Sequence, residues 1–271
     1  MLVALALAGV AREASGEPLP LWELGAGATA FYLPDYRGAD EGRAYLLPFP
    51  YFIYRGERLR ADREGARAEL FETEHAELTF SVSGGVPVRR GSNAARAGMP
   101  ALRPVIELGP ALNLTLARSD DRRSDLRLRL PLRAGFTIGS EPDSIGGTFT
   151  PFLQLRMFDA PWAGGATVRA SVGAAFASRA YHRYYYGVAP AEATPARRAY
   201  EPSGGFSGWQ AALNFSHSQG RWRMFGFVAA DVLHGTAFDD SPLLRRRTSV
   251  IAGGGVAYVF SQSTRTVRTE D

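Results

Sequence analysis

Along residues 125–136 every second side chain is apolar. Leu126, Leu128, Leu130, Leu132, Ala134 and Phe136 share one parity, and Asp125, Arg127, Arg129 and Arg133 share the other. Side chains of an extended chain alternate between faces, so this spacing predicts a strand with one greasy and one charged face. The parity recurs through the chain. Residues 76–88 set Leu78, Phe80, Val82, Val86 and Val88 against Glu77, Thr79, Ser81 and Ser83. Residues 102–116 set Ile106, Leu108, Leu112, Leu114 and Leu116 against Arg103, Glu107, Asn113 and Thr115. In residues 166–176, Val168, Val172 and Phe176 oppose Thr167, Arg169 and Ser171, and in residues 208–216 Trp209, Ala211, Leu213 and Phe215 oppose Gln210, Asn214 and Ser216. Residues 248–260 close the series with Val250, Ala252, Val256, Tyr258 and Phe260. Weaker versions cover residues 22–32, 45–54, 149–158 and 222–233, and no helical period competes with them.

Alternation alone fits a water-soluble sandwich as well as a membrane barrel, and three features choose the barrel. The segments run to roughly 10–14 residues, near the 9–11 of a tilted membrane strand and beyond the 5–6 usual in soluble sheets. Aromatic residues gather at segment ends (Trp22, Tyr32, Tyr45, Tyr54, Trp162, Trp222, Tyr258, Phe260), as interfacial girdles require. Charges lie deep within the polar faces, which suits a wetted lumen. The expected fold is an all-β transmembrane antiparallel up-and-down barrel. Strand parity, with both termini on the periplasmic side, gives about twelve strands if residues 59–71 form two short strands turning at Arg63-Glu64-Gly65. Ten is the alternative. The same parity puts the long connections at residues 34–43, 89–100, 138–147, 178–205 and 234–246 outside the cell.

Composition narrows the function classes. With no cysteine, disulfides, thiolate metal sites and thiol nucleophiles are excluded. The 31 basic residues, all arginine, are nearly matched by 27 acids and are interleaved with apolar residues, so no nucleic-acid-binding patch is expected. Residues 1–11, MLVALALAGVA, read as a signal-peptide core ending in small residues, with residues 12–21 a linker, residues 22–260 the barrel and residues 261–271 a polar tail.

Several connecting motifs are recognisable once the strands are placed. Pro34-Asp35-Tyr36-Arg37-Gly38-Ala39-Asp40 follows the first strand, and Leu47-Pro48-Phe49-Pro50-Tyr51 lies in the second. Ala95-Arg96-Ala97-Gly98-Met99-Pro100 precedes Glu107-Leu108-Gly109-Pro110, and Tyr184-Tyr185-Tyr186-Gly187-Val188 opens the longest loop. Gly235-Thr236-Ala237-Phe238-Asp239-Asp240-Ser241-Pro242-Leu243 precedes a last strand ending Val256-Ala257-Tyr258-Val259-Phe260. In order and spacing this series resembles the MipA/OmpV family of Gram-negative outer-membrane proteins, over nearly the whole chain. The resemblance implies a barrel in the cell outer membrane, in contact with its lipids, without catalysis or cofactor. It further implies a role as a scaffold joining a lytic transglycosylase to a peptidoglycan synthase, or as a surface interaction protein. It also implies that Val256, Tyr258 and Phe260 form the signal read by the barrel-assembly machinery, although family members typically end at that aromatic and here residues 261–271 follow.

The candidate functional residues fall into three groups. Arg103, Glu107, Asp125, Arg127, Arg129, Arg133 and Arg169 are expected in the lumen, where they either pair across strands or line a narrow channel for small anionic solutes. Tyr181, Tyr184, Tyr185, Tyr186 and Tyr200 are candidates for a recognition surface on the longest loop. His234, Asp239, Asp240 and Ser241 have the residue types of a Ser-His-Asp hydrolase, but Asp-Ser-Pro is an ordinary turn former, and His75 and His182, alone in a turn and a loop, offer no metal-ligand spacing.

Overall fold

A computed structural model describes residues 19–55, 59–62, 65–68, 71–73 and 75–267. The signal-like residues 1–11 lie outside this set. The strands are β1 (Leu19–Pro20), β2 (Trp22–Pro34), β3 (Gly42–Arg55), β4 (Leu59–Asp62), β5 (Gly65–Ala68), β6 (Phe71–Glu72), β7 (Ala76–Gly85), β8 (Val105–Arg118), β9 (Ser124–Thr137), β10 (Ser144–Phe149), β11 (Phe152–Ala160), β12 (Ala166–Ala177), β13 (Gly205–Gln219), β14 (Trp222–Val232), β15 (Thr248–Gln262) and β16 (Thr266–Val267). One helix, α1 (Arg179–Tyr186), sits in the longest loop.

The main sheet is antiparallel in the order β5-β4-β3-β2-β15-β14-β13-β12-β10-β9-β8-β7-β6, with β11 continuing β10 between β9 and β12. Pro151 separates β10 from β11. It has no N–H to give a ladder, yet its carbonyl accepts from Ala174 N at 3.1 Å, so both pieces stay between the same neighbours. The two ends of this order are consecutive pieces of chain: β5 pairs with β4, and β6, two residues further on, pairs with β7. The order therefore returns on itself through one segment. Counting β5 with β6 and β10 with β11, the described residues form twelve staves. The expected split of residues 59–71 is present as β4 and β5, joined in register at Asp62↔Gly65 across Arg63 and Glu64, which themselves lie outside the described residues.

Burial is inverted relative to a water-soluble protein. Leu132, Val172, Trp209, Leu213 and Val250 on the outward parity are 48–55% exposed, whereas Glu107, Asn113, Arg169 and Asn214 on the inward parity are at most 5% exposed. Such a wall is stable only if its outer face meets hydrocarbon. Rings mark both rims of the apolar band. Trp222 and Tyr258, in register on neighbouring strands, pack edge-to-face at 5.0 Å near the short turns, and Phe149, Phe176, Phe206 and Trp209 form a chain of rings at the opposite rim. Tyr45, expected in a girdle, instead shares the inward parity and stacks on Phe31 at 5.2 Å.

One side of the lumen is packed with rings, and glycines make the room. A Cβ on Gly255 would lie 2.6 Å from the Phe225 ring, and one on Gly253 would lie 2.7 Å from the Phe227 ring. The run Gly253-Gly254-Gly255 is thus a site of close approach within a strand. Tyr51, Ile53, Ala257 and Val259 extend this apolar filling toward the end of the short turns. At that end β1 and β16 pair as a small ribbon, in register Leu19↔Val267 and Pro20↔Thr266.

The long connections (residues 35–41, 86–104, 138–143, 178–204 and 233–247) all leave from one end, and they fold together. Tyr36, Val88, Met99, Tyr186, Val188, Leu233, Phe238 and Leu243 form a buried cluster drawn from four of the loops. Tyr186 and Phe238 stack face to face with centroids 3.7 Å apart. Backbone groups are satisfied across loops: Tyr36 Oη donates to Leu243 O at 2.8 Å, Arg197 Nη1 donates to the Ala95 and Ala97 carbonyls at 2.9 Å each, and Ser241 Oγ donates to Tyr186 O at 2.8 Å. The loops form a cap with its own core rather than independent excursions.

Candidate functional site: a capped, arginine-lined lumen

The odd-numbered positions of β7, β8, β9, β12 and β14 and the even-numbered ones of β11 and β13 face inward, so side chains far apart in sequence converge. Near the short turns, Glu23 is 1% exposed and accepts from Tyr51 Oη at 2.9 Å, Arg55 Nη2 at 3.2 Å and Arg223 Nε at 3.1 Å. Around the wall, Asp125 takes two hydrogen bonds from Arg156, one from Nε at 2.8 Å, and lies 3.4 Å from Arg127, which also faces Glu77 at 3.9 Å. Buried charge is tolerated where each carboxylate is both paired and hydrogen-bonded, as here.

Higher up the wall, Arg129 Nε donates to Asn113 Oδ1 at 2.8 Å, and Arg133 donates to Ser81 Oγ at 2.8 Å and Thr150 Oγ1 at 3.3 Å. Arg169 is buried on β12 and, with Arg129 and Arg133, lines a cavity of about 130 Å³. At the top the cap reaches in. Tyr181 Oη, from α1, donates to Glu107 Oε1 at 2.7 Å, and Arg37, from the first long loop, pairs with Asp231 at 3.0 Å. Ser178 begins α1 as its N-cap, accepting from Tyr181 N, and so aims that ring down the lumen.

Six of the seven expected lumen charges, Glu107, Asp125, Arg127, Arg129, Arg133 and Arg169, lie on the inward parity. Arg103 does not. Pro104 interrupts the alternation before β8 begins at Val105, and Arg103 belongs to the cap, where it pairs with Asp143 and donates to Glu141 O at 2.8 Å. The tyrosines also need correction as an outward recognition surface. Tyr181 and Tyr186 are 8% and 3% exposed, and Tyr184 and Tyr185 pack against the cap core and Tyr200 beside it. Their hydroxyls hold loops together: Tyr184 Oη donates to Arg103 O at 3.0 Å and Tyr186 Oη to Arg37 O at 2.9 Å. Val256, Tyr258 and Phe260 point outward at 39–53% exposure on the last barrel strand.

Within the cap, His182 is 1% exposed; its Nδ1 donates to Ser203 O at 2.7 Å and its Nε2 meets the Ser207 hydroxyl. Burial, reinforced by nearby Arg37, lowers its pKa against the opposing effect of the Ser203 carbonyl, so the imidazole is a neutral cap strut. Asp239 is held below the ordinary carboxyl range by its hydrogen bond from Arg247. Ser241 donates to the Tyr186 carbonyl at 2.8 Å and also accepts from Leu243 N at 3.2 Å, so its hydroxyl is engaged within the cap. Among the described residues no group of acids and histidines has the makings of a metal site.

Glu23, Arg37, Arg156 and Arg223 were not among the expected charges. Glu23, Arg156 and Arg223 lie in the weakly alternating strands, where the inward parity mixes charge with glycine or aromatic residues; Arg37 arrives from a loop, which carries no parity to read.

The family described as "MltA-interacting protein MipA" matches residues 26–260. The chain is 26% identical over 245 residues to outer membrane protein Omp26La of Vibrio anguillarum, covering 88% of this chain and 85% of that one. Among solved structures it is similar to the COG4313 outer membrane channel from Pseudomonas putida F1 (11% identity, 91% and 98% coverage, TM-score 0.47). It is also similar to a bacterial polysaccharide outer membrane secretin (7% identity, 89% and 99% coverage, TM-score 0.43).

Proposed function

The chain belongs to the MltA-interacting protein MipA family of outer-membrane β-barrels, and from that premise we propose that it works without catalysis, as a membrane-embedded scaffold for cell-wall enzymes. The observation that carries this reading is the cap. Loops that would otherwise guard a pore are spent on a shared core, and the lumen beneath is lined by rings on one side and ion pairs on the other. Loops committed to a shared core support a role in positioning partners better than steady conduction of small anions. The periplasmic end offers such partners short turns and the β1–β16 ribbon, which Arg55 ties to the barrel by donating to Pro20 O at 2.8 Å.

The family name points to a lytic transglycosylase as one partner, and a peptidoglycan synthase is the proposed second. Affinity capture of the tagged, full-length protein from detergent-solubilised envelopes is expected to recover both reproducibly. Recovery of no cell-wall enzyme in repeated captures would contradict the scaffold reading.

A further inference from the structure

The strand β3 is paired along one side and hardly at all along the other. Its neighbour β2 runs beside it from Gly42 to Tyr54 in unbroken register. On the far side β4 reaches only Tyr54 and Arg55, and among the described residues no strand pairs with residues 42–53 there. Which groups face that side follows from the backbone. Arg55 N donates to Leu21 O at 2.8 Å and Glu41 O accepts from Asp35 N at 3.0 Å, so odd-numbered residues point toward β2. Even-numbered residues therefore turn their N–H and C=O groups to the unpaired edge.

Two of those even positions are Pro48 and Pro50, which carry no N–H. A strand edge facing hydrocarbon is costly because its polar groups find no water, and unpaired N–H groups are tolerated least. The prolines remove two donors from the middle of this edge. They also make it a poor template for a further strand, whose carbonyls opposite them would go unanswered. An occupant without hydrogen-bonding groups gives up nothing at this place.

The side chains at the edge are apolar on both faces. Leu46, on the outward parity, is 75% exposed. Leu47 shares the inward parity with Tyr51 and Ile53, which are 1% and 2% exposed, yet it is itself 46% exposed. In a continuous wall an inward side chain is covered by its neighbours, and Leu47 is uncovered because the wall stops beside it. The lumen behind it is the ring-packed side. Flanking Leu47 on the same face are Tyr45, stacked on Phe31 at 5.2 Å, and Phe49, edge-on to Phe225 at 6.1 Å.

We propose that the barrel wall is open beside β3, on the cap side of β4, and that an acyl chain of a membrane phospholipid occupies the opening, lying across Leu46, Leu47 and Pro48. The bilayer around an outer-membrane barrel supplies that occupant directly. The site is independent of the scaffold role, since it requires no periplasmic partner.

Fluorescence quenching in vesicles tests it on the full-length protein, which has no cysteine of its own. The single variants L47C, A212C and L213C are labelled with bimane and placed in phosphatidylcholine vesicles with or without bromine on the acyl chains. Leu213 faces lipid and Ala212 faces the lumen, so they calibrate the two extremes. Quenching at residue 47 is expected to match that at 213 and to exceed that at 212 several-fold. Quenching at 47 no greater than at 212 overturns the proposal; chemical cross-linking into dimers in the same vesicles would then assign the edge to a second copy of the chain. The variant L47R needs no label and is expected to lose as much stability to urea in vesicles as L213R. Unchanged stability of L47R overturns the proposal as well.

Discussion

Replacing Glu23 by leucine is expected to destabilise the barrel by about 3–5 kcal/mol, the cost of removing one partner from a buried charge network. Glu23 is the shared acceptor for Arg55, Arg223 and Tyr51, and the two arginine side chains are only 10–11% exposed. Without it, two guanidiniums on opposite sides of the seam between β2 and its neighbours face each other uncompensated. Urea titration of the protein in lipid vesicles, followed by tryptophan emission, measures the loss. Glu23→Gln, which keeps an acceptor oxygen, should lose less than Glu23→Leu. Equal stability of Glu23→Leu and the unaltered protein would mean that the network does not hold the periplasmic end together.

Leu213→Arg is expected to cost about 2–4 kcal/mol, the range for a cation placed on the lipid face at the middle of the bilayer. Leu213 lies near the centre of β13, in register with Ala170 and Val228, and is 48% exposed. Judged by exposure alone it is a surface position, where substitutions away from special features usually change stability by no more than about 0.5 kcal/mol. The two settings thus differ several-fold in predicted effect. Urea titration in vesicles separates them, and a change below 1 kcal/mol would argue that this face meets water.

Much of the barrel is legible in the chain because a strand writes its two environments in alternate residues. The run from Asp125 to Phe136 fixes both the strand and its inward face, and parity applied to successive strands yields twelve staves, including the short β4 and β5. Where alternation is diluted, the reading thins. The segment at residues 149–158 reads as one strand, but Pro151 divides it into β10 and β11, and its Arg156 joins Asp125 at the lumen wall. Alternation carried through Pro104 likewise assigned Arg103 to the lumen although the strand starts one residue past the proline.

The cap shows a different kind of limit. Its core comes from residues as far apart as Tyr36 and Leu243, joined by a hydrogen bond at 2.8 Å, and loops impose no period that would announce such a meeting. The tyrosine-rich stretch was visible, but its direction was not: a helical turn starting at Ser178 sends Tyr181 into the barrel and Tyr186 into the cap core. The chemical identity of the lumen follows the same division. Charges on strongly alternating strands could be placed beforehand, whereas Arg37, delivered by a loop, and Glu23, set among glycines and aromatics, emerge only from the fold.

The chain has no cysteine, so a single one can be introduced and spin-labelled at each of residues 209–216 in turn. Collision with oxygen, which partitions into hydrocarbon, and with a water-soluble nickel chelate reports what each position touches in a lipid bilayer. If the apolar face of β13 meets acyl chains, oxygen accessibility peaks at 209, 211, 213 and 215 and falls at 210, 212, 214 and 216. The absence of that two-residue oscillation, or its appearance in the opposite phase, would contradict a barrel whose outer wall is solvated by lipid.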